Sequence, residues 1–286
     1  MPGYWYNSPR SQIAAGTPAQ PNEKVFYHLH GGAYIVGSAS PPPGVTTPMA
    51  TVLLEKTTTV NRLFSLEYRI SSSAPLTLEN PFPTALIDAV TGYSYLTSEL
   101  GFKPKNIIVV GDSSGGHLAL SFFRYLLETS VLPMPGAFIC VSPLCDITSS
   151  HLATHNSSLE FETDIIGRLD KGIFEWAWKS FAGPLYDDPI DGPTKNPYLS
   201  PASISSDIES TVSFGGFPKT FLVFGGAERM RDDVRTLEHR LVRDLGQEQV
   251  TVYEAPDAIH VFLFFDWHEP ERTEGFELIA RWVDQK

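Results

Sequence analysis

A chain of 286 residues with 42% hydrophobic content is long and apolar enough for one sizeable α/β domain with a deep core. Its formal net charge of −12, without any Lys/Arg block, argues against nucleic acid or another polyanion as partner. Its two cysteines (Cys140 and Cys145) form no disulfide framework, no zinc-ligand spacing or bilayer-length apolar run is present, and the N-terminus lacks a basic-then-apolar signal. A soluble, cytoplasmic protein with core thiols is therefore expected.

In chain order, a leader punctuated by Pro2, Pro9, Pro18 and Pro21 has room for one short strand around 11–15. Residues 24–30 read as a strand that runs straight into Gly31-Gly32-Ala33-Tyr34. Consecutive glycines there let the backbone approach a bound group closely. N–H groups converging on one point are fixed dipoles that suit a developing carbonyl oxyanion. The amides of Gly31, Gly32 and Ala33 are the candidate donors. A strand at 62–66 and a helix over about 83–100 follow, with Pro83 suited to the first helical turn.

The apolar run 106–110 then leads into Gly111-Asp112-Ser113-Ser114-Gly115-Gly116, and a helix continues to about 128. Gly-x-Ser-x-Gly between strand and helix is the nucleophile elbow, a turn so tight that only small residues fit beside a strained serine. Ser113 is the candidate nucleophile, and the amide of Ser114 is a further oxyanion donor. Strands at 137–141, 220–224 and 249–253 and a terminal helix at about 269–283 complete the alternation. Such alternation implies a mostly parallel sheet with right-handed crossovers and a ligand site at the carboxyl ends of the strands. Between the strands ending near 141 and 224, residues 148–197 read as a helical cap, aromatic-rich over 164–181, where Leu169, Phe174, Trp176 and Trp178 fall. One or two of these aromatics reach substrate and the rest fasten the cap; Phe174 and Trp178, with Tyr34, are the pocket candidates.

Several of these segments together resemble one known family. They are His30-Gly31-Gly32, Glu67-Tyr68-Arg69, Pro83 through Asp88, the elbow and Ser142-Pro143. From about residue 24 onward the chain resembles the hormone-sensitive-lipase-like esterases of the α/β-hydrolase superfamily. The resemblance implies a mostly parallel sheet flanked by helices, a cap above it, and ester hydrolysis without a cofactor. The remaining members of a triad follow in the order acid, then histidine. His260, just past the last strand, can take the Ser113 proton and return it to the leaving alkoxide. In the family the acid opens an Asp-Pro-Leu-x-Asp stretch; the matching position here is Glu228, with Met230 in the Leu slot and Asp232 as the alternative acid. His28 and His30 share a strand face, but no third metal ligand accompanies them, and His30 is read as a brace for the oxyanion loop; His117 is read as structural.

The resemblance implies a small-molecule ester as substrate, short to medium in acyl length. Only twenty-nine residues precede His30, a leader shorter than is usual in the family. The expectation is a sheet short of edge strands and a more open site for bulky esters, or else a gap covered by a second subunit in a homodimer. An arylformamidase-type amidase, a lactone hydrolase, or a non-catalytic ligand receptor on the same scaffold are the alternatives. The plant receptors of that last kind lose the histidine that is retained here as His260.

Overall fold

Seven strands build one sheet in the order β1-β3-β2-β4-β5-β6-β7. They are β1 (Gly3–Asn7), β2 (Lys24–Leu29), β3 (Val60–Leu66), β4 (Ile107–Asp112), β5 (Ala137–Val141), β6 (Lys219–Gly225) and β7 (Val250–Ala255) in a computed structural model that describes residues 2–41, 47–168 and 171–285. All neighbours pair in parallel except β1, which runs antiparallel to β3. This is the α/β-hydrolase fold, and no helix among the described residues is long and apolar enough to cross a membrane.

Both faces of the sheet are covered, so the central strands are buried along nearly their whole length and read as largely apolar runs rather than alternating. In β4, Ile107 and Val109 join a core built with α2 (Thr84–Ser94), α3 (Ser114–Thr129), α4 (Lys171–Ala182) and α6 (Arg231–Leu245). Ile108 and Val110 point the other way, toward α1 (Thr47–Lys56) and α7 (Glu271–Asp284). A short helix, α5 (Ser206–Thr211), is capped by the Ser205 hydroxyl, which accepts the Ile208 amide. Cys140 and Cys145 are free, fully buried core thiols whose ionisation burial pushes well up.

Three elements differ from the sequence expectation. The leader strand lies at Gly3–Asn7 rather than at 11–15. Its Tyr4-Trp5-Tyr6 run supplies three aromatic strand formers, and the Trp5 ring packs on Phe64 at 5.1 Å. Residues 11–14 form no regular element, and the carbonyl of Ile13 accepts the Asn7 side-chain amide. Helix α1 was not anticipated; its buried Met49, Ala50, Leu53 and Leu54 carry a helical spacing that the surrounding threonines and valines obscure. The predicted cap helix is a 3₁₀ turn at Ile165–Arg168 followed by α4, and Leu169 lies outside the described residues.

Candidate active site

Four strand ends carry the candidate groups to one edge of the sheet. β4 ends at Asp112, and Ser113 holds φ 51° and ψ −120° before α3 begins. A side chain is normally excluded from that region. The turn is pressed so closely on its neighbours that a Cβ on Gly115 would sit 2.0 Å from the Leu29 carbonyl oxygen. The Ser113 amide donates to Val141 at 2.9 Å, and its carbonyl accepts the Leu144 amide at 3.0 Å. Both ends of the strained residue are thus fixed by β5 and the turn after it.

The glycine turn after β2 is organised by the other residues of the family motifs. Asp112 accepts the Gly31 amide at 3.0 Å on one oxygen and meets His28 Nε2 at 3.1 Å on the other. Gly31 therefore leaves the set of expected oxyanion donors, because its N–H is already committed. Gly32, Ala33 and Tyr34 follow at φ 123°, 52° and 64°, and no described group accepts the amides of Gly32 or Ala33. Ser114, the first residue of α3, has no carbonyl one turn back in the helix to bond its amide.

The loop is braced from outside. Tyr68 donates its hydroxyl to the His30 carbonyl at 2.6 Å while its ring stacks on the His30 imidazole at 4.2 Å. Glu67 accepts the Ala39 amide at 2.7 Å, and Arg69 pairs with Asp88 at 2.6 Å. His28 is saturated by Ser65 and Asp112, so the two strand histidines form no metal pair.

The histidine arrives on the loop after β7. His260 Nε2 lies 3.0 Å from Ser113 Oγ. Its Nδ1 faces Glu228 Oε2 at 3.7 Å, longer than a hydrogen bond, and both Nδ1 and Glu228 Oε1 are buried without a hydrogen-bond partner. Burial alone depresses the imidazole, but the Glu228 carboxylate, with Asp164 and Asp112 farther off, outweighs it and holds His260 above its ordinary value. Asp232 is engaged elsewhere: it accepts the Ser158 amide at 2.8 Å and pairs with Arg231 at 3.0 Å. Gly225 lets the acid loop meet the histidine loop, since a Cβ there would lie 2.1 Å from the Ala258 carbonyl oxygen. The Val261 amide donates to Ser142 Oγ at 3.1 Å, which gives the Ser142-Pro143 motif its place in the site.

The pocket candidates divide. Phe174 and Trp178 line a cavity of about 330 Å³ with Leu144, Ile147, Ile166 and Met230, and with Asp146 and Asp233 among its polar groups. Its lining includes Leu144, whose amide bonds the Ser113 carbonyl, and Arg229 and Met230, which follow Glu228; Ser113 and His260 do not line it. Tyr34 does not line it either. It is fully buried, stacked on Phe181 at 3.8 Å, and its hydroxyl donates to His117 Nδ1 at 2.7 Å. His117 in turn meets the Leu199 carbonyl at 3.1 Å, and burial pushes it down to about 4, a neutral structural histidine. Trp176 donates to the Ala74 carbonyl at 2.9 Å, a bond between α4 and the segment before α2. Sequence reasoning missed Asp164, a fully buried residue between β5 and α4 that accepts the main-chain amides of Arg229 and His260.

The family model described as the alpha/beta hydrolase fold matches residues 26–264. The chain belongs to this family. Within the α/β hydrolases it groups with the hormone-sensitive-lipase-like esterases and is a hydrolase of the carboxylesterase class. It is 28% identical over 261 residues to an acetyl-hydrolase of Streptomyces hygroscopicus, covering 90% of this chain and 73% of that one. It is 29% identical over 217 residues to an esterase of Acinetobacter venetianus, covering 76% of this chain and 61% of the relative. Among solved α/β hydrolases, an esterase/lipase from an uncultured bacterium superposes with a TM-score of 0.73 at 26% identity, covering 99% of this chain and 80% of its own. A hormone-sensitive lipase from a metagenome library gives 0.70 at 27% identity, covering 95% and 78%.

Proposed function

We propose that the protein hydrolyses small carboxylic esters through a Ser113–His260–Glu228 triad and an acyl-enzyme. The observation that carries this reading is the 3.0 Å approach of His260 Nε2 to the hydroxyl of a serine held in a strained elbow. His260 takes the Ser113 proton as Oγ bonds to the ester carbonyl carbon. The carbonyl oxygen becomes an oxyanion received by the amides of Gly32, Ala33 and Ser114. The imidazolium then gives its proton to the departing alkoxide. Water, deprotonated by the same imidazole, cleaves the acyl-serine bond and restores the free hydroxyl. Glu228 keeps the charge on His260 tolerable throughout. Its 3.7 Å spacing is compatible with this role, since catalytic hydrogen bonds in ligand-free sites are often long.

A largely apolar cavity of about 330 Å³ beside the site supports short-to-medium acyl groups as the substrate class. The Streptomyces relative is named an acetyl-hydrolase, which supports the short end of that range. The test is a series of p-nitrophenyl esters of increasing chain length with wild type and Ser113→Ala. Wild type should turn over the short members, and the variant should lose roughly 10⁴-fold or more in kcat. Equal turnover by both would remove Ser113 from its role.

A further inference from the structure

We infer that Asp164 is a positioning residue of the esterase: from the cap, its carboxylate clamps the acid loop and the histidine loop together and adds a second negative charge behind His260. This rests on the triad reading above. One oxygen of Asp164 accepts the Arg229 amide at 2.7 Å, and the other accepts the His260 amide at 3.0 Å. Arg229 directly follows Glu228, so the two bonds hold the residue next to the acid and the backbone of His260 itself. Asp164 has no exposed surface, and no lysine, arginine or histidine forms an ion pair with it among the described residues.

A buried carboxylate without a counter-ion is costly to keep. An uncharged amide would pack as well, but it could accept only one of the two N–H groups and would present its own N–H₂ to the other. Only a carboxylate accepts on both sides. Ser113 from the elbow and Glu228 from the loop after β6 face the His260 imidazole, and the charges of Asp112 at the end of β4 and of Asp164 also act on it. Three of these are acids on three different elements. Asp164 is the one whose bonds also fix the backbone of the residue that carries the base. The cap therefore does more than cover the sheet. Its docking sets the distance between Glu228 and His260.

The experiment compares Asp164→Asn with wild type on p-nitrophenyl butyrate, following kcat, KM, the pH profile of kcat/KM and the rate of labelling by a fluorophosphonate. The variant should lose about 30-fold or more in kcat with KM changed less than about threefold, as expected when geometry around the base is disturbed rather than binding. Its acid limb should move to lower pH, because one of the charges favouring the imidazolium is gone. A purely structural contact would not move that limb. An unchanged limb with unchanged kcat overturns the inference while leaving the triad intact, provided wild type is labelled and Ser113→Ala is not. Failure of wild type to label sinks the triad reading instead. If the Asn variant does not fold, Asp164→Glu replaces it: a lower kcat with the limb in place supports the clamp, and a limb shifted downward overturns it. Hydrogen exchange of the wild-type protein gives a further check. The His260 and Arg229 amides should be among the slowly exchanging loop amides, and fast exchange at both counts against the bonds.

Discussion

A serine at φ 51° costs of order 1–3 kcal/mol of local strain, and it persists only where its surroundings over-determine it. Here they do, through the Val141 carbonyl, the Leu144 amide and the absent side chain of Gly115. The acid side of the site is looser, and this makes it the informative place to mutate. Glu228 is fully buried beside His260, whereas Asp232 is bound to Ser158 and Arg231. Glu228→Gln should therefore lower kcat by at least about 100-fold, while Asp232→Asn should stay within about threefold. The pH profile supplies a second readout. His260 must be neutral to accept a proton, and its pKa is held above the ordinary imidazole value despite burial, chiefly by Glu228. The acid limb of wild-type kcat/KM should lie above about 6.5 and fall in Glu228→Gln. A larger loss in Asp232→Asn than in Glu228→Gln would transfer the acid role.

Between elements, the tie that matters is a second buried cluster, which joins the segment after β5 to α6. His151 Nδ1 pairs with Asp233 at 2.7 Å and lies 3.7 Å from Asp146, while Nε2 meets the Thr236 hydroxyl at 2.8 Å. Burial alone would lower the imidazole pKa, but Asp146 and Asp233 outweigh it and raise His151 to about 9. The sign follows directly. A histidine raised in the folded state contributes stability that is full below the unfolded value of about 6.5 and disappears as pH rises through 9. Wild type should therefore lose thermal stability between pH 6.5 and 9, and His151→Gln should lose most of that slope. Parallel melting curves for the two proteins across this range would refute the pairing. None of this was legible in the sequence. The strands and the elbow were legible because each is a local pattern: an apolar run, a glycine spacing, a turn. His151 and Asp164 sit in runs with no such pattern, and Asp164 gains its role from partners 65 and 96 residues away. The leader strand was misplaced for the opposite reason. Its aromatic signal was local but lay ahead of a proline, and its value came from packing on Phe64.

Across the whole molecule, a buried cation adds to the β1–β3 ladder and the Trp5 packing that hold the leader to the sheet. Arg62 of β3 is 1% exposed, with its guanidinium 4.9 Å from the Trp5 ring and 4.8 Å from the Phe102 ring. It pairs with Glu23 at 2.8 Å and donates to the Thr17 carbonyl at 2.8 Å. One side chain thus ties β1, the loop before β2, the centre of β3 and the segment before β4. Removing one partner of a buried pair leaves an uncompensated charge, typically a loss of about 3–5 kcal/mol, whereas removing both is far milder. Arg62→Met should therefore lower the urea midpoint strongly, and the added Glu23→Gln change should recover part of the loss. Neither residue touches the candidate site, so kcat of the folded fraction should be unchanged. Additive losses in the double variant would show that Arg62 and Glu23 are not coupled. A fall in kcat would mean that the position of β1 is transmitted through β3 and β2 to the oxyanion loop, making the leader part of the site's support rather than an edge of the sheet.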